Sequence, residues 1–206
     1  MAFSTSDIDI ANFALTELGA GRILSLSDAS EPAIVLNLIF NQTRQYCLNQ
    51  YNWSFARKRA VLAELSQAPA YEFTHQYELP SDFLRLIQAG EINPPYHYST
   101  IINYNTQAWV IEDNKILTNY EAPLKILYTA DVSDSTKFSP LFVKFFSLNL
   151  ALHACEQLTQ SSTKKQIIES QIKAVLKMAA ASDRMQNPPM QPETGSWNDA
   201  RIFGGA

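Results

Sequence analysis

Residues 140–160 constrain the fold more than any other stretch. Leu141, Phe142, Phe145, Phe146, Leu148, Leu150, Leu152, Cys155 and Leu158 would cover most faces of a helix there. A helix apolar nearly all round has to be buried by other elements. Lys144, Asn149, His153 and Glu156 interrupt it too often for a membrane span, which needs about 20 predominantly apolar residues. It therefore reads as the central element of a globular core, with no membrane partner. Ser139-Pro140 supplies its start, a capping hydroxyl followed by a first-turn proline.

Three further helices are expected around it. The first begins near Ser4 or Ser6 and runs to about Leu18, with Ile8, Ile10, Phe13, Ala14 and Leu18 apolar, Asp7 and Asp9 at its positive end and Gly19 placed to stop it. The second starts at Ser30-Glu31-Pro32 and reaches about Tyr51, with a core stripe of Val35, Leu36, Ile39, Phe40, Tyr46 and Cys47. The last, 162–185, carries one stripe of Ile168, Ile172, Val175, Leu176 and Ala179, with Lys164, Lys165, Lys173 and Lys177 off it, so it packs on one side.

From Trp53 the period changes. Short runs rich in aromatic and β-branched residues occupy 59–65, 73–79, 83–89, 98–104, 109–112, 115–118 and 124–130. Asp113-Asn114 separates two alternating runs and predicts a two-residue hairpin. The expected fold is thus α+β: a four-helix bundle formed by 1–52 and 139–186, an antiparallel β-rich insertion over 53–138, and an extended arm over 187–206. The arm holds Pro188, Pro189, Pro192 and three glycines with almost no periodicity.

Charge excludes one broad function. The net charge is −4, and non-specific DNA affinity comes from Lys and Arg neutralising phosphates. The distribution is uneven: 139–186 holds six basic and three acidic residues, net +3, against ten basic and seventeen acidic elsewhere, net −7. Arg57-Lys58-Arg59 reads as a solvated or intersubunit face in preference to a DNA contact. Cys47 and Cys155 both fall on apolar helix faces, so no disulfide framework is implied. The acidic first residues lack the basic-then-apolar pattern of an export signal, and folding in the cytoplasm is expected.

Catalytic constellations are weak. Ser54, His75 and Asp82 have the residue types of a hydrolase triad, but no nucleophile-elbow glycines surround Ser54. His153, Cys155 and Glu156 lie on the apolar helix at spacings that do not share a face, so His153 reads as a core histidine and not a metal ligand. No Gly-rich phosphate loop is present. No catalytic group, cofactor or metal is expected. Trp197, Ile202 and Phe203, by contrast, are large apolar side chains in an arm too short and Gly/Pro-rich to bury them alone, and they read as anchors for an intermolecular contact.

Residues 52–85, NWSFARKRAVLAELSQAPAYEFTHQYELPSDFLRL, resemble the tail tubular protein A family, the head-to-tail adaptors and head-completion proteins of short-tailed bacteriophages. The matching positions are Trp53, Phe55, Ala56 and Arg57, then Tyr77, Leu79-Pro80, Asp82, Leu84 and Arg85. On physical grounds these specify a fold: Trp53 anchors the end of the second helix, Leu79-Pro80 ends a strand, and Ser81 or Asp82 caps a turn that returns Phe83 and Leu84 inward. The resemblance implies a structural virion protein of the tail or neck, assembled in the bacterial host cytoplasm. It implies a homo-oligomeric ring, commonly a dodecamer, between the portal protein and the tail nozzle protein. Genomic DNA passes through the channel without sequence-specific binding, and Trp197, Ile202 and Phe203 reach toward the portal. Two alternatives stay open. One is a virion-associated peptidoglycan hydrolase using Glu72, Glu78 and Asp82 amid Tyr71, Phe73 and Tyr77; the other is an adaptor for tail fibres or spikes.

Overall fold

The computed structural model describes residues 5–90 and 109–186. They form a mixed α+β fold with four helices and two small antiparallel sheets. Helix α1 (Asp7–Leu18) starts at a reciprocal cap: the Asp9 amide donates to Ser6 Oγ at 3.2 Å and the Ser6 amide to Asp9 Oδ2 at 3.0 Å. It stops where Gly19 turns left-handed at φ 68°, with Lys164 Nζ donating to the Leu18 carbonyl at 2.7 Å. Helix α2 (Glu31–Gln50) begins with Pro32 in its first turn, but the Ser30 hydroxyl makes no capping bond. Helix α3 (Pro140–Thr159) is capped by Ser139 Oγ, which accepts from the Phe142 amide at 3.3 Å. Gln160, at φ 49°, turns the chain directly into α4 (Ser162–Gln186), and a connection this short makes α4 run back antiparallel along α3.

Helix α3 is the hub. It packs against α1, α2 and α4, and its Phe142, Phe145, Phe146, Leu148, Leu150, Ala151, Ala154 and Cys155 are all buried. The sequence reading of the outer helices needs correction at two aromatics. Phe13 and Tyr46 are each 51% exposed, because the buried arcs of α1 and α2 are carried by Ile10, Ala11, Ala14, Leu15 and Leu18, and by Ala33, Val35, Leu36, Phe40, Thr43, Arg44, Cys47 and Leu48. On these arcs α3 meets branched and aromatic side chains as well as alanines, with Phe40 of α2 edge-on to Phe146 at 5.1 Å.

The strands are β1 (Arg57–Leu62), β2 (His75–Glu78), β3 (Phe83–Ala89), β4 (Trp109–Glu112), β5 (Lys115–Thr118) and β6 (Leu124–Ala130). One sheet has the order β1-β6-β3 and the other β2-β5-β4, every pairing antiparallel. Asp113 and Asn114 form the β4–β5 turn, both left-handed at φ 44° and 58°, which matches the right-handed twist of the strands. Leu62, Tyr77, Leu79, Ile116, Leu124, Ile126, Tyr128 and Ala130 make a second apolar cluster drawn from both sheets. Strand β3 is bulged and half-buried along its length. It sends Phe83 to the sheet cluster and Leu84 to the helical one. The strand expected at 98–104 and the arm at 187–206, with Trp197, Ile202 and Phe203, lie outside the described residues.

Candidate functional site

The residues that carry the family resemblance converge on the joint between helices and sheets. Trp53 is 1% exposed, ringed by Tyr51, Phe55, Phe142 and Phe145 at centroid distances of 5.0–6.2 Å. Its Nε1 donates to the Cys47 carbonyl at 2.9 Å. Cys47 is in the last turn of α2, where carbonyls lack intrahelical donors, so the indole both fills the core and caps the helix. Burial pushes the Cys47 thiol far above its ordinary pKa, leaving it an inert apolar group.

Tyr77 and Leu79-Pro80 tie the sheets together. Tyr77 is fully buried, with its hydroxyl donating to the Tyr120 carbonyl at 2.8 Å; burial first, then the charges of Glu64 and Glu121, raise its pKa. The Leu79 amide donates to the Asn114 carbonyl at 3.0 Å, and the Pro80 carbonyl accepts from Phe83 at 3.0 Å to close the turn into β3. Asp82 does not cap that turn. Its carboxylate instead accepts from Lys58 Nζ at 2.5 Å and from the Tyr128 hydroxyl at 2.9 Å, bridging β1 and β6. Its own carbonyl takes the Asp131 amide at 2.7 Å.

Asp131 in turn holds the helices. Arg44 of α2 reaches it with two bonds of 3.0 and 3.2 Å, and Gln45 adds a third at 2.8 Å. Arg85 completes the joint by donating to the side chain of Asn52. Burial alone would raise the Asp82 pKa, but the bonds from Lys58 and Tyr128 and the Lys58 charge outweigh it and leave the carboxyl below its ordinary value. Tyr128 responds in the opposite direction: burial and the Asp82 carboxylate push it up to about 12.

The hydrolase constellations do not assemble. His75 Nδ1 lies 2.7 Å from Glu64 Oε1, the Ser54 amide is bonded to Asp183, and Asp82 is engaged with Lys58 and Tyr128, so no Ser-His-Asp relay connects them. Glu72, with Tyr71 and Phe73, lines a pocket of about 250 Å³ that neither Glu78 nor Asp82 reaches. A lowered carboxyl such as Asp82 is the reverse of what a general acid requires. His153 is not a core residue, which corrects the sequence reading: it is exposed, edge-on to Tyr46 at 6.5 Å. Among the described residues no group of three or more His, Cys, Asp or Glu side chains is placed to hold a metal ion, and no helix is long and apolar enough to cross a membrane.

What the described surface does offer is an uncharged helix face. The exposed side of α2 beyond Glu31 consists of Ile34, Asn37, Leu38, Asn41, Gln42, Gln45, Tyr46, Asn49 and Gln50. Ile34 is 58% and Leu38 79% exposed. No protein-family model matches the chain, and no curated protein is significantly similar to it.

Proposed function

We propose that this protein is a structural subunit of a short-tailed phage particle, a head-to-tail adaptor that assembles as a ring, with the portal on one side and the tail nozzle on the other. The observation that carries the reading is the exposed face of α2. A surface helix ordinarily alternates charges along its solvent side. This one presents about 25 Å without a single ion, and depletion of charge is the compositional mark of the buried centre of a protein–protein interface.

The joint supports the same reading. The residues that resemble the adaptor family serve to lock the helices to the sheets through Trp53, Asp82, Arg44 and Asp131, so each subunit offers a stiff, two-part body. We read the four helices as a bundle built on α3, with α2 facing the neighbouring subunit. Head-to-tail contacts of this kind close into a ring when the rotation between neighbours divides the circle. Catalysis plays no part in that task, and DNA traverses the channel without being gripped.

The test is co-sedimentation of the purified full chain with the portal protein of the same phage, alongside release of soluble fragments from purified cell wall. Co-migration with portal rings and no wall turnover is the expected result. Wall turnover without portal binding would replace the adaptor with the hydrolase, and binding to isolated tail fibres but not to portal would make it a fibre adaptor.

A further inference from the structure

Charge in the β region is sorted by sheet. The strands of the first sheet hold five bases, Arg57, Lys58, Arg59, Arg85 and Lys125, and no acid. Around the second sheet the balance reverses. Glu72, Glu78, Glu112 and Asp113 are all exposed there, and Lys115 is the one Lys or Arg of its three strands. Protecting an edge strand from unwanted pairing would account for the bases of β1. It does not account for Lys125, which is exposed on the central strand β6.

Strand alternation decides which sides these charges occupy. Ala60, Leu62, Leu124, Ile126 and Tyr128 face the apolar cluster that the two sheets share. Arg59, Val61 and Lys125 therefore stand on the reverse of the first sheet, where Val61 is 66% exposed. In the second sheet Tyr77 and Ile116 take the shared core, which leaves Gln76, Glu78, Glu112, Lys115 and Leu117 on its reverse. The 67–73 loop closes over that side to form the pocket of about 250 Å³, lined by Glu72, Glu112 and Asp113. Lys115 pairs with Asp113 at 3.7 Å. Among the described residues no ion pair holds Glu72, Glu112 or Arg59. Tyr71, 80% exposed, stands in the pocket wall beside the two glutamates.

We infer that the basic reverse of the first sheet, centred on Arg59, docks into this acidic pocket on a second copy of the chain. The pocket is smaller than the roughly 300 Å³ at which sites for compact ligands begin, and it suits one long side chain. A guanidinium matches carboxylates with its planar fork and also stacks on an aromatic face, so Glu72, Glu112 and Tyr71 together select arginine. Val61, next to Lys125 in the register, adds apolar area at the same contact. Unlike charges on two separate faces of one chain attract copies of that chain and fix their orientation. The faces are different surfaces, so the contact is head-to-tail, the kind that closes into a ring. The inference rests on the ring reading proposed above and names the residues that join one subunit to the next.

Sedimentation velocity of the full chain tests it with two charge reversals at exposed sites, Arg59→Glu and Glu112→Arg. The wild type associates beyond the dimer at low salt and disperses towards about 1 M salt, where the screening length is about 3 Å. Each reversal alone sets like charges against each other and weakens association by about a hundredfold or more. An equal mixture of the two variants, in which every junction again joins unlike charges, associates in equal proportion, which also shows that both are folded. A wild type that stays monomeric at millimolar concentration and low salt would overturn the inference. So would single variants that associate like the wild type, a mixture that fails to recover, or growth that stops at a dimer. Loading of Arg59→Glu onto portal rings as fully as the wild type would overturn this contact and leave the adaptor role standing. Association rescued by the reversed pair, without any binding to portal, would uphold the contact and overturn that role.

Discussion

Replacing Trp53 separates the two roles of the indole. Trp53→Phe keeps an aromatic ring among Tyr51, Phe55, Phe142 and Phe145 but removes Nε1, leaving the Cys47 carbonyl without the donor it has at 2.9 Å. A buried acceptor deprived of its partner costs about 1–3 kcal/mol, and the smaller ring adds about 1 kcal/mol of lost apolar burial. Trp53→Ala removes the whole side chain from a site 1% exposed, at about 3–5 kcal/mol for the cavity and lost transfer energy, with the stranded carbonyl added. Against a typical stability of about 5–15 kcal/mol, the alanine variant should sit near the edge of folding. Urea denaturation followed by far-ultraviolet circular dichroism reads both. At roughly 2 kcal/mol per molar urea, the midpoint should fall by about 1–2 M for Phe and further for Ala. A Phe variant with an unchanged midpoint would refute the capping role, and an Ala variant that loses less than about 1 kcal/mol would refute the claim that Trp53 joins the helices.

Other perturbations probe the same joint. The folded pKa of Asp82 lies below its unfolded value, so its contribution is present above the unfolded carboxyl pKa, about 4, and is lost as pH falls through the folded value. Asp82→Asn should therefore flatten the loss of stability below about pH 4 in thermal melts, and an unchanged acid profile would count against the bridge. A double-mutant cycle on Arg44→Ala and Asp131→Ala should give a coupling of about 1–2 kcal/mol, given that the pair is only partly screened, at 11% and 22% side-chain exposure; additive effects would show that it contributes nothing. Asn114→Gly should raise stability slightly, whereas Asn114→Ala should lower it by about 1 kcal/mol, because the turn holds position 114 at φ 58°. Equal melting of the two would deny the turn its role.

Much of the fold is legible from local chemistry. The all-round apolar pattern of 140–160 announces the central helix, Gly19 and Ser139 mark the helix ends they form, and Asp113-Asn114 makes the turn its composition suggests. Failures come where local patterns underdetermine a face. Phe13 and Tyr46 each sit beside the buried arc of a helix, and hydrophobicity alone does not say that a neighbouring Ala or Cys, not the aromatic, turns inward. His153 misleads for the same reason, flanked by Ala151, Leu152, Ala154 and Cys155 yet pointing outward to Tyr46. The joint was hidden for a different reason. Lys58 and Tyr128 stand 24 and 46 residues from Asp82, and Arg44 stands 87 from Asp131. Such pairings follow from the β1-β6-β3 order, which no short-range signal encodes. Trp53 was readable because a single tryptophan beyond a helix end has few places to go except the core.

The most direct test of the proposed adaptor role is native mass spectrometry of the full chain mixed with candidate portal rings. The account predicts a complex heavier than the portal by a fixed number of subunits, twelve where the ring follows the resemblance, with no partly filled mixture at saturation. Free portal and free monomer side by side, at concentrations well above those of assembly, would contradict it.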